Sequence, residues 1–78
     1  MKTDKKMFEA KYRYYKEKVY FELTLMKRFE GQKNAWNRAN ERRELYLQIV
    51  RDLEDIADIH GEKSFDYCEA LKRTGHKN

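Results

Sequence analysis

Between Met7 and Phe29 the chain reads MFEAKYRYYKEKVYFELTLMKRF, and its apolar residues return at helical spacing on two neighbouring faces. At about 100° per residue, Phe8, Tyr12, Tyr15, Val19, Leu23 and Met26 share one stripe. Met7, Tyr14, Phe21, Leu25 and Phe29 form a second, roughly 80–100° round the axis. Lys11, Lys18 and Glu22 lie between the two. A helix that buries a single side needs only one stripe, so this one is expected to pack against two neighbours.

Glycine sets the punctuation. No proline occurs, and the glycines are Gly31, Gly61 and Gly75, each just past the end of a predicted helix. The first helix is expected over about 4–30, with Thr3 or Asp4 as N-cap and Lys27 and Arg28 favourably placed in its last turn. The second is expected over about 34–60, capped by Asn34, with Asn37 second and Gly61 as the stop. The third, over about 64–74, takes Ser64 as N-cap and an apolar edge of Phe65, Cys68 and Leu71; residues 76–78 form a tail. The competing layout, one helix running through Gly31, is disfavoured because Gly31, Asn34, Asn37 and Asn40 all weaken helix propensity there. The connection around Gly31 is short, and short connections make antiparallel neighbours. The fold class is therefore all-α: an antiparallel two-helix hairpin plus a short third helix, a small three-helix bundle in one domain spanning 1–78.

Composition agrees with this layout. Charged residues make up 41% of the chain, but an aromatic content of 14% is high for a disordered segment. A chain of 78 residues supports one small core. Cys68 is the single cysteine, so no internal disulfide is available, and a reducing, cytoplasmic setting is expected. No run approaches the roughly 18–20 apolar residues of a membrane span. The first sixteen residues lack the apolar core of a secretory signal.

The net charge of +4 conceals blocks. Residues 2–18 carry +4, 19–30 balance, 31–51 carry +3, 52–69 carry −6 and 70–78 carry +3. Folding the hairpin about 31–33 sets residue i near residue 64 − i, which brings the first basic block beside the acidic one. Phe8 then faces Ile56, Tyr15 faces Ile49, Val19 faces Tyr46 and Phe29 faces Trp36. In this register Glu22 comes opposite Arg42 and Arg43, and an ion pair that fixes register is expected there.

Two stretches invite a ligand. Lys11-Tyr12-Arg13-Tyr14-Tyr15-Lys16 interleaves cations and rings as nucleic-acid binders do, although helical spacing accounts for Tyr12 and Tyr15 as core. The turn and the start of the second helix gather Lys27, Arg28, Gln32, Lys33, Asn34, Asn37, Arg38, Asn40, Arg42 and Arg43 around Trp36. Arginine and asparagine suit phosphates and base edges, and a helix N-terminus adds anion affinity. Arginine and tryptophan equally suit a protein interface. The expected partner-binding residues are Lys33, Asn34, Trp36, Asn37, Arg38, Arg42 and Arg43, joined by Tyr14 and Phe21 from the first helix.

Other chemistries find no support. His60, His76 and Cys68 are the only strong nitrogen or sulfur ligands, and they match no metal-site spacing. Glu54, Asp55 and Asp58 read as a solvated acidic face of the second helix, and Cys68 as a buried structural thiol. There is no glycine-rich phosphate loop and no nucleophile motif, so no enzyme, metal or cofactor is expected. The second stripe of the first helix is too long for a short third helix to cover completely, which leaves surface for a homodimer seam or a partner groove.

The expected function is thus non-enzymatic binding: a small regulator or inhibitor docking on a larger protein or nucleoprotein complex. The small size, the lack of a catalytic constellation and the charged, tyrosine-rich surface resemble phage and mobile-element proteins that block host machinery, anti-CRISPR inhibitors included. That likeness is one of style, with no motif behind it. The alternatives are direct, largely sequence-nonspecific DNA or RNA binding through the basic blocks, and a structural homodimer.

Overall fold

The computed structural model describes residues 2–76. Helix α1 spans Lys2–Arg28 and α2 spans Lys33–Ala57; a 3₁₀ turn at Gly61–Lys63 follows, then a short α3 at Tyr67–Arg73. Helices α1 and α2 pack along their lengths as an antiparallel hairpin, and α3 folds back against it. The molecule measures 47 × 22 × 15 Å.

The core comes from the first stripe. Tyr12, Val19, Leu23 and Met26 are buried against Ala39 and Val50 of α2 and Phe65 and Ala70 from the α3 region. The register is close to that expected: Arg42 bonds Glu22, and Glu54 bonds Tyr12. The Tyr15 ring lies beside Tyr46, with centroids 6.1 Å apart. One expected pairing does not form. Ile56, expected against Phe8, is exposed, because it points to the side of α2 away from α3.

The helix boundaries follow chemistry that glycine alone does not reveal. Gly31, at φ 85°, makes the hairpin turn, closed by the Gln32 N–H on the Phe29 carbonyl at 2.9 Å. Helix α2 stops at Ala57, not His60. Asp58 takes a left-handed conformation at φ 57°, its N–H bonding Asp55 O at 3.3 Å while the Ile59 N–H bonds Glu54 O at 2.8 Å. This is the pair of bonds that closes a helix behind a left-handed residue, a conformation aspartate tolerates better than most side chains. Gly61 instead opens the 3₁₀ turn.

The expected caps are also revised. Helix α1 begins at Lys2, so Thr3 and Asp4 lie within its first turn. Gln32 occupies the position before α2 without a side-chain cap, and Asn34 sits inside the helix. Ser64 closes the 3₁₀ turn through its hydroxyl on Gly61 O at 2.6 Å, and Asp66 caps α3, accepting from the Glu69 N–H at 3.0 Å. Cys68 is exposed, because the later start of α3 turns it away from the core that Ala70 and Phe65 fill. His76, read as part of a loose tail, is anchored: its Nε2 lies 2.7 Å from the Leu23 carbonyl. Lys77 and Asn78 lie outside the described residues.

Contacts fix which side of the hairpin α3 occupies. Phe65 sits edge-on to Tyr20 with centroids 5.6 Å apart, and the Arg43 guanidinium lies 5.8 Å from the Tyr67 ring. Tyr20 flanks the core stripe of α1 on one side, whereas Met7, Tyr14 and Phe21 flank it on the other. Helix α3 therefore leaves Met7, Tyr14 and Phe21 of the second stripe open.

Candidate functional site

The expected partner-binding residues divide into three groups. At the hairpin end, Lys33, Trp36 and Asn37 line a shallow concavity with Glu30 and Gly31. Trp36 is half-buried, while Lys33, Asn34, Asn37 and Arg38 are exposed. The first turn of α2 holds no acidic residue, and no side chain caps it. Its unpaired N–H groups and its dipole thus add to the charge of Lys33 instead of being offset. Among the described residues, Arg28, Lys33 and Arg38 have no carboxylate partner, whereas Lys27 reaches Glu30 at 3.2 Å.

Arg42 and Arg43 are used internally. Arg42 Nε donates to Glu22 Oε1 at 3.0 Å, and the Glu22 side chain is buried. Arg43 turns to the opposite side. Its Nη2 donates to Asn40 Oδ1 at 2.5 Å and lies 3.5 Å from Glu44, its guanidinium faces Tyr67, and its buried Nε has no hydrogen-bond partner. One arginine therefore stitches α1 to α2, and the other supports α3.

Tyr14 and Phe21 belong to a different surface. Met7, Tyr14, Phe21, Leu45 and Ile56 all keep more than half of their surface exposed. By helical spacing all five fall on the side of the hairpin opposite α3. The Lys18 ammonium lies 5.2 Å from the Tyr14 ring and 5.8 Å from that of Phe21, a cation set among rings.

The most elaborate side-chain cluster is one the polar pattern of α2 conceals. Glu54 is buried. Its Oε2 accepts from the Tyr12 hydroxyl at 2.6 Å and the Phe65 N–H at 2.5 Å, and its Oε1 accepts from Arg51 Nη1 at 2.8 Å. The same Arg51 nitrogen donates to the Phe65 carbonyl at 3.0 Å. Burial works to raise the Glu54 carboxyl, but the Phe65 N–H, the Tyr12 hydroxyl and Arg51 outweigh it and hold the group below the ordinary carboxylate range. Burial, reinforced by Glu54, pushes the Tyr12 hydroxyl well above its usual range. Each carboxylate oxygen is occupied from within the chain, so the cluster works as a latch joining α1, α2 and the segment entering α3. The clue in the sequence was Tyr12, a core residue whose hydroxyl needs a buried partner.

Asp55 and Asp58 are exposed, and Asp58 contacts His60 Nε2 at 2.8 Å. Among the described residues, no group of three or more His, Cys, Asp or Glu could hold a metal ion. No helix among them is long and apolar enough to cross a membrane. No protein family, curated protein or solved structure matches this chain.

Proposed function

We propose that this chain is a non-enzymatic binding protein, a regulator or inhibitor that docks its hairpin end on the acidic surface of a larger protein. One observation carries the reading: the first turn of α2 opens with Lys33 and holds neither an acidic residue nor a side-chain cap. Lys33 stands at an uncapped helix N-terminus and lines a concavity with Trp36, and Arg28 and Arg38 at the same end have no carboxylate partner among the described residues. Such an arrangement costs the isolated fold a few tenths of a kcal/mol or more. Local rules are broken in this way where an external partner supplies the compensation. Trp36 provides an apolar anchor among the cations, the combination that concentrates energy in protein interfaces.

A protein partner is favoured over a phosphate backbone because Arg42 is paired with Glu22 and Arg43 is held by Asn40, Glu44 and the Tyr67 ring. That leaves few guanidinium groups to follow a nucleic-acid strand. The test is affinity capture by the wild-type chain beside Lys33→Glu/Arg38→Glu and a control, Glu9→Lys, on the far half of α1. An acidic protein retained by wild type and control but lost by the double variant supports the reading. The same protein retained by all three contradicts it.

A further inference from the structure

The open face has the pattern of a second helical seam. On α1, Met7, Tyr14 and Phe21 recur every seven residues, with Lys11 and Lys18 in the intervening positions. On α2 the same period places Leu45 and Asp52 in one series, with Ile49 and Ile56 between. A seven-residue apolar period is the signature of helices that pack along one another.

We infer that a second copy of this chain covers the face, the two hairpins forming a four-helix bundle about a twofold axis parallel to the helices. The hairpin register supplies the argument. Glu22 faces Arg42, so residue i of α1 stands at the height of a residue close to 64 − i of α2. A twofold axis along the helices preserves heights and lays α1 of one copy antiparallel on α2 of the other. Met7 then meets Ile56 of the second copy, Tyr14 meets Ile49, and Phe21 falls between Arg42 and Leu45. One charged position agrees as well: Lys11 comes opposite Asp52. Each of these contacts occurs twice, as a twofold interface requires.

The other face-to-face arrangement, α1 on α1 about Tyr14, would set Lys11 beside Lys18 of the second copy. Charge therefore selects the first. The pairing also leaves the α3 side free and brings both Trp36 ends to the same end of the dimer.

The test is the mass in solution by sedimentation equilibrium or light scattering, with far-ultraviolet circular dichroism as the check on folding. Wild type is expected at twice the 9.6 kDa chain mass. Phe21→Glu and Leu45→Glu alter exposed side chains and are expected to halve that mass with helicity unchanged. Lys11→Asp is expected to weaken the dimer, and Lys11→Asp/Asp52→Lys to restore it. A wild-type chain that stays at 9.6 kDa at every concentration overturns the inference. So does a dimer indifferent to Phe21→Glu and Leu45→Glu.

Discussion

The Tyr12 hydroxyl donates to Glu54 Oε2 at 2.6 Å across the α1–α2 interface, and the same oxygen receives the Phe65 N–H. One carboxylate thus fixes the spacing of two helices and the point where the chain turns back to build α3. Hydrogen bonds to a buried charge contribute about 1.5–3 kcal/mol each. Tyr12→Phe keeps the ring and removes the donor, so it is expected to cost about 2 kcal/mol in urea unfolding. Glu54→Ala, which also strands Arg51 and the Phe65 N–H, should cost more, about 3–5 kcal/mol. A Tyr12→Phe variant as stable as wild type would remove the latch from the account.

The pH dependence follows from the same pair. The folded Glu54 carboxyl is held below its ordinary 4.5, so its stabilisation is complete above that value and is lost as pH falls through the folded pKa. The Tyr12 hydroxyl is raised above its ordinary 10.0, so its contribution is complete below that value and fades as pH rises beyond it. Stability from this pair should be level between these limits. Glu54→Gln should flatten part of the acid limb in melts taken from neutral pH downward, and an unchanged acid limb would refute the assignment.

Glu22 and Arg42 form the second link between the helices. Glu22 is buried and Arg42 is partly solvated, so removing the arginine leaves a carboxylate poorly compensated. Arg42→Ala is expected to cost about 1–3 kcal/mol. In a double-mutant cycle with Glu22→Gln, Arg42 should show a coupling of about 1 kcal/mol, and Arg43, which faces Tyr67 on the other side, almost none.

Asp58 holds φ 57° at the end of α2, a conformation glycine adopts without steric cost. Its contact with His60 lies at the surface and contributes little. Asp58→Gly is expected to stabilise the fold by about 0.5 kcal/mol, whereas Gly31→Ala, at φ 85°, should cost about 1 kcal/mol. Thermal melts of the two variants should therefore shift in opposite directions.

Periodicity and glycine placement made the hairpin legible before any coordinates. The first stripe of α1 is the core, Gly31 is the turn, and Gly75 follows α3. What stayed hidden depended on individual side chains acting against type. Asp58 ended a helix where a glycine three residues later looked like the stop, and this shifted the caps and turned Cys68 outward. Glu54 shares its sequence neighbourhood with the solvated Asp55 and Asp58, and the bonds from Tyr12, Arg51 and Phe65 set it apart. At the site, the cations of the turn were visible as a block, but composition could not reveal that Arg42 and Arg43 are drawn into the fold while Lys33 and Arg38 are not. The division of the second stripe from the α3 side likewise needed the direction in which α3 folds back.

The nature of the partner is tested most directly by fluorescence anisotropy of short labelled single- and double-stranded DNA and RNA, at about 50 and 200 mM salt. An acidic protein partner at the hairpin end predicts flat traces at both salts. Micromolar binding that collapses between the two salts, and that Lys33→Glu/Arg38→Glu abolishes, would contradict that account and make the hairpin end a nucleic-acid site.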